Sequence, residues 1–199
     1  APTGLLLSVD DIKDILDHNR DAVVVIDEAY IDFGGTSCLS LLDDYENLLI
    51  IKTFSKFRSL AGSRLGAAYG NKELISHLYD VKNSFNSYPI DALNQAIGEA
   101  SVADSAYIEE NAKKVMATRE RISAELRELG FMIPESYANF IFISHPEVKA
   151  EHLFKELRKK GIIVRYFNAN RINNYLRVSI GTDEQMDAFM AGVKEILSR

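Results

Sequence analysis

Two short apolar runs constrain this chain more than anything else in it: Ala22-Val23-Val24-Val25-Ile26 and Leu48-Leu49-Ile50-Ile51. Neither alternates apolar with polar residues, so each reads as a strand covered on both faces. Leu65 to Tyr69 is a weaker third of the same kind. Helical spacing lies beside them. Ser8 is placed as an N-cap ahead of Ile12, Ile15 and Leu16 on one face, and Asn71 precedes a helix from Lys72 to about Phe85. Another helix runs from Ile90 to about Asp104. Buried strands interleaved with helices define an α/β layer architecture.

From Ala106 the pattern changes. Ile108, Ala112, Val115, Ile122, Leu126 and Leu129 form one long helical stripe, and Gly130 follows as its C-cap. Beyond it come strands at Phe140 to Ile143, Ile162 to Val164 and Tyr175 to Ile180. A helix from Ala150 to Lys160 ends at Gly161, and a last one runs from Asp183 to about Leu197. Thr182 and Gln185 before that last helix are spaced as a capping box. The expected division is therefore 1–105 and 106–199, the second part a long linking helix with a small α+β domain.

At 199 residues the chain has room for one large domain or two small ones, at roughly one per ~150 residues. Its 47% apolar and 26% charged residues exclude a disordered tail, a collagenous chain and a disulfide scaffold. The run Leu48 to Ile51 is far too short to span a bilayer, and no signal segment opens the chain. A net charge of −6 disfavours generic binding to nucleic acid but leaves room for one basic pocket. Cys38, the single cysteine, cannot form an internal disulfide, which suits a cytoplasmic protein; no role is assigned to it. His18, His77, His145 and His152 lack metal-ligand spacing and read as surface or helix-face residues, so no metal site is expected.

Chemistry-bearing residues follow the buried runs in order. Asp27 and Glu28, then Tyr30, come directly after the first; ligands of open α/β sheets bind beyond the carboxyl ends of strands. Thr53-Phe54-Ser55-Lys56 follows the second, where a partly desolvated lysine serves as a Schiff-base nucleophile. Arg64 lies eight positions on, in Ala61-Gly62-Ser63-Arg64-Leu65-Gly66, whose small residues let backbone approach a phosphate. Taken singly, each also fits a solvated residue at a strand end. Their joint order is what points to a site.

These stretches resemble the fold type I pyridoxal-phosphate aminotransferases, most closely the histidinol-phosphate group. The likeness rests on Ala1-Pro2-Thr3-Gly4, on Val25 to Phe33 (V-I-D-E-A-Y-I-D-F), on Thr53 to Lys56 with Ala61 to Gly66, and on Leu176 to Thr182 (L-R-V-S-I-G-T). The resemblance implies a partial large domain with a mainly parallel sheet and helices, plus a complete small α+β domain. It implies Lys56 as the lysine that holds pyridoxal phosphate covalently and then carries the proton at substrate Cα. Asp27 would pair with the pyridine nitrogen and Tyr30 with the 3′-oxygen. Ser55 and Arg64 would hold the phosphate, with Thr53 a helper. Arg177 and Arg165 would face the anionic end of small amino and 2-oxo acid substrates. Arg165 also fits an ion-pair partner; Asn139 fits a site-facing polar residue or a strand-end cap, and Tyr88-Pro89 resembles a family segment near the cofactor and also fits a turn before a helix.

The resemblance further implies a homodimer and a transfer between histidinol phosphate and 2-oxoglutarate, as a step of histidine biosynthesis. It begins inside the family's Asn-Pro-x-x-Pro-Thr-Gly segment, so the expectation is the C-terminal part of such an enzyme, with an open sheet edge and an exposed apolar face. Three alternatives stand beside it: a folded module without cofactor, an aromatic aminotransferase, and a phosphothreonine-type decarboxylase.

Overall fold

The computed structural model describes residues 1–198; Arg199, the last residue of the expected small domain, lies outside them. The chain forms two compact units. One spans Leu7–Ala112; the other runs from Lys113 onward and includes Ala1–Leu6.

The Leu7–Ala112 unit holds helix α1 (Val9–Asp17), strands β1 (Val24–Asp27), β2 (Leu48–Thr53) and β3 (Gly66–Gly70), and helices α2 (Lys72–Phe85) and α3 (Ala92–Ala103). Its sheet has the order β1-β2-β3. β1 and β2 run parallel, with Val24 opposite Leu48 and Asp27 opposite Ile51. β3 turns back antiparallel, pairing Thr53 with Gly66 and Leu49 with Gly70. The carboxyl ends of β1 and β2 and the start of β3 therefore share one edge. An antiparallel neighbour needs no crossover helix, and only a loop joins β2 to β3.

Ile12 and Leu16 of α1 pack with Cys38, Leu41, Leu48 and Ile50 in one buried cluster, against which Val24 and Ile26 rest. α1 opens on a capping box, Ser8 and Asp11 each bonding the other's backbone N–H. Of the two apolar runs only the second buries residues on both faces, Leu48, Leu49 and Ile50, while Ile51 at its end is 36% exposed. Val23 and Val25 are 51% and 52% exposed, because α1 and the 38–41 turn cover one side of β1 alone. β1 is an outer strand of this sheet. Exposed apolar residues continue on α2 and α3, Phe85 and Leu93 among them.

Cys38 is buried in that cluster, and burial, then the adjacent Glu28 carboxylate, push its thiol up to about 11. An unfolded thiol loses its proton near pH 9 while the folded one keeps it, so stability falls as pH rises from there toward 11. By pH 10 the loss due to this group is about 1 kcal/mol. Urea unfolding of wild type and Cys38→Ala at pH 8 and pH 10 checks this; equal pH dependence in the two would contradict it.

The other unit takes up the C-terminal part of α4 (Ser105–Glu128), within which the division falls. It adds β4 (Phe140–Ile143), α5 (Ala150–Lys159), β5 (Arg165–Tyr166), β6 (Leu176–Ser179) and α6 (Asp183–Leu197). The sheet order is β4-β6-β5, antiparallel throughout. Ile122 and Leu126 of α4, Ile141 and Ile143 of β4, Leu153 and Leu157 of α5, and Leu176 and Val178 of β6 form one core with α6. Each such side chain contributes roughly 1.5–3 kcal/mol by leaving water.

Glycine ends two helices as the spacing predicts. Gly130 and Gly161 have φ of 87° and 78°, and the amides of Phe131 and Ile162 reach back to the carbonyls of Leu126 and Leu157. Thr182 and Gln185 do form the capping box of α6.

Two further expectations need correction. Ile162 to Val164 is not a strand; the ladder starts at Arg165, and Ile162 and Val164 are apolar because they pack into the core. His145 is not a surface histidine. It is buried, its Nε2 is 3.2 Å from the Leu129 carbonyl, and its Nδ1 accepts from the amides of Glu147 and Val148. Imidazole there satisfies the end of α4 and the turn after β4 together.

Candidate active site

The shared edge of the β1-β2-β3 sheet gathers five of the expected residues. Asp27 is the last residue of β1, and its Oδ1 accepts from the Ala29 amide at 2.9 Å. Strand alternation sends the next side chain, Glu28, the opposite way, into the interior. Tyr30 then leads into a single 3₁₀ turn, Ile31–Phe33.

β2 delivers Thr53, whose Oγ1 accepts from the Ser55 amide at 3.1 Å. The loop that follows is closed at its base: Thr53 pairs with Gly66, and the Phe54 amide donates to the Leu65 carbonyl at 3.1 Å. Ser55 and Lys56 thus leave one side of that closure while Arg64 enters from the other. Inside the loop the Leu60 amide returns to the Phe54 carbonyl and the Ser59 amide to the Lys56 carbonyl. Ser59 and Arg64 both sit in the left-handed region, at φ 56° and 55°. That conformation costs a residue with a Cβ about 1 kcal/mol or more and is retained where surrounding contacts enforce it.

The Lys56 ammonium lies 5.5 Å from the centre of the Tyr30 ring and has no carboxylate partner among the described residues. Arg64 is exposed and donates from Nη1 to the Ala61 carbonyl at 3.0 Å, leaving the rest of its fork free. Thr53, Ser55 and Lys56 are half-buried.

Two contacts that the sequence did not announce fasten this loop. Arg58 lies over the Phe54 ring and donates to the Ser101 carbonyl in the last turn of α3, where a cation is favoured. Phe57 meets Phe33 edge-on, with ring centres 6.0 Å apart. Nothing local signals either, since the partners are distant in sequence.

Tyr88 stands almost fully exposed between α2 and α3. Arg165 and Arg177 belong to the other unit and face each other across β5 and β6. The Phe167 ring lies near both guanidinium groups, at 5.5 Å and 5.9 Å, and Phe140 is 5.2 Å from Arg177. Neither arginine has a carboxylate partner among the described residues, and the Arg177 Nε is buried without a hydrogen bond. A cavity of about 340 Å³ there is lined by both arginines with Arg158, Tyr166 and Ser179. Asn139 is half-buried, and its backbone carbonyl accepts from the Ile180 amide.

Comparison with known proteins gives a consistent picture. The family model for aminotransferase class I and II matches residues 1–193. A histidinol-phosphate aminotransferase of Clostridium acetobutylicum is 56% identical over 198 residues, covering 100% of this chain and 56% of that protein. The chain thus spans about half the length of the curated relatives it matches. Among solved structures, the histidinol-phosphate aminotransferase from Clostridium acetobutylicum aligns with a TM-score of 0.90 and 25% identity, over 99% of this chain and 61% of that one. The enzyme of the same name from Sinorhizobium meliloti, solved in complex with pyridoxal-5′-phosphate, aligns with a TM-score of 0.88 and 23% identity, over 99% and 55%. At that identity the last likeness speaks to fold alone.

Proposed function

The chain belongs to the class I and II aminotransferases, and on that premise we propose that it carries the cofactor-binding lysine and anion-binding arginines of a pyridoxal-phosphate-dependent enzyme acting on histidinol phosphate and 2-oxoglutarate. The observation that carries the reading is the gathering of Asp27, Tyr30, Ser55, Lys56 and Arg64 at one sheet edge, with the lysine amine unpaired.

These residues fit the cofactor. The Asp27 Oδ1 is engaged by Ala29, and its second oxygen is available to a pyridinium N–H. Lys56 is a free amine beside a phenol. Ser55 and the open fork of Arg64 suit a phosphate dianion. When bound, pyridoxal phosphate supplies the electron sink that stabilises charge at substrate Cα. The chain's own residues do the rest. Lys56 would hold the cofactor through its Nζ, and the same amine would carry the proton at substrate Cα. Asp27 would keep the ring nitrogen protonated, and the Tyr30 hydroxyl would hydrogen-bond the 3′-oxygen. Arg177 and Arg165 bind the substrate's anionic end, a phosphate in one half-reaction and a carboxylate in the other.

The relatives' shared name supports the substrate, and the unpaired arginine pair supports an anionic one. A homodimer that completes the site belongs to the same proposal; light scattering of the purified chain reports its mass. Half-reaction kinetics on a protein of the relatives' full length carrying this sequence test the substrate. Histidinol phosphate is expected to react far faster than phenylalanine, and equal rates would sink the assignment.

A further inference from the structure

Glu28 is the acid of this region that faces inward. It is 3% exposed, and both carboxylate oxygens are held. Oε1 accepts from the Cys38 amide at 2.6 Å and Oε2 from the Ser37 hydroxyl at 2.7 Å. The Lys52 ammonium lies 3.4 Å from Oε2 and 3.3 Å from Asp32, bridging the two acids. A buried carboxylate with three partners resists rotation, because freeing it would leave a charge uncompensated away from water.

Its backbone is held as well. The Glu28 amide donates to the Ile51 carbonyl at 2.9 Å, extending the β1–β2 ladder, and its carbonyl accepts from Ile31 at 3.3 Å. Neighbouring side chains in extended backbone point to opposite faces, so fixing Glu28 inward fixes Asp27 outward. The same clamp ties down both ends of the segment from Tyr30 to Cys38. Within that segment Phe33 is buried and meets Phe57, the residue after Lys56.

We infer that Glu28 is a positioning residue for the proposed site: its buried carboxylate, gripped by Ser37, Cys38 and Lys52, sets the direction of Asp27 and holds the Tyr30 ring beside the Lys56 amine. It touches neither substrate nor cofactor and acts through its two neighbours. The inference rests on the functional reading for what Asp27, Tyr30 and Lys56 accomplish, but the clamp is measurable in the cofactor-free chain.

Reductive ¹³C-methylation places a dimethylamino reporter on each lysine, and the Lys56 signal is assigned by its disappearance in Lys56→Arg. In the wild type the Tyr30 ring shifts that signal upfield, and Tyr30→Ala removes the shift. Glu28→Gln is expected to move it most of the way to the Tyr30→Ala position. Ser37→Ala, which deletes one of the contacts to Glu28 together with the hydroxyl's bond from the Leu39 amide, moves it less in the same direction and serves if Glu28→Gln does not fold. Leu16→Ala, a cavity in the α1 core, lowers stability and leaves the signal where it is. A Glu28→Gln signal at the wild-type position overturns the inference. So does an equal displacement in Leu16→Ala, which would reduce Glu28 to a contributor to stability. Borohydride reduction of the wild type with pyridoxal phosphate, mapped by peptide mass, reports separately on the functional reading. Its failure would remove that reading and leave the Lys56 signal to decide the clamp.

Discussion

Lys56→Ala is expected to abolish covalent capture of pyridoxal phosphate by this chain. In the wild type, borohydride reduction should fix the cofactor to one lysine, and peptide mass should place it at residue 56. Other lysines, among them Lys72, Lys155 and Lys159, are exposed amines with no neighbouring phosphate cradle. Lys56 differs in three ways: it is half-buried, it lies over a phenol, and it follows Ser55 with Arg64 entering the same closed loop. Lys56→Arg should lose the adduct as completely, since a guanidinium keeps the charge but is no nucleophile at neutral pH. Arg64→Ala should keep the position of labelling and weaken it about tenfold or more, the worth of about 1.5–3 kcal/mol for a charged hydrogen bond. Labelling spread over many lysines in the wild type, or an adduct that survives Lys56→Ala, would remove Lys56 from its role.

Which of these features could be read in advance follows from how local their causes are. Helix caps depend on residues three or four apart, so Ser8 with Asp11, Thr182 with Gln185, and the glycines at 130 and 161 are visible in the sequence. The order of Asp27, Tyr30, Lys56 and Arg64 after two apolar runs is visible for the same reason. Covering is not local. Val23 and Val25 are as apolar as Val24 and Ile26, yet only the latter pair faces α1 and packs against its cluster. Apolarity at Ile162 and Val164 was spent on packing rather than on a ladder, so periodicity alone misplaced β5 by three residues. Glu28 shows the limit most clearly. Its partners lie 9, 10 and 24 positions away, and nothing about Ser37, Cys38 or Lys52 announces an acid. His145 is the same case, with Leu129 sixteen residues distant.

The arginine pair yields a second large effect, and its sign separates function from stability. Arg165 and Arg177 stand directly opposite each other in an antiparallel pair, an arrangement of like charges that costs roughly 0.2–1 kcal/mol. Aromatic rings at 5.2 Å to 5.9 Å offset part of this, but no carboxylate does among the described residues. An oxyanion in the adjoining cavity would turn the repulsion into two attractions and satisfy the buried Arg177 Nε. Arg177→Met keeps the apolar stem over Phe140 and Phe167 and removes the charge. Affinity for 2-oxoglutarate or inorganic phosphate, by calorimetric titration, should then fall about ten- to a hundredfold. Without anion, thermal stability should hold or rise, because a cross-strand repulsion has gone. Phosphate should raise the melting temperature of the wild type above that in chloride at equal ionic strength, and the variant should lose this response. A wild type indifferent to phosphate, or a variant destabilised equally with and without it, would make Arg177 a packing residue instead of an anion ligand.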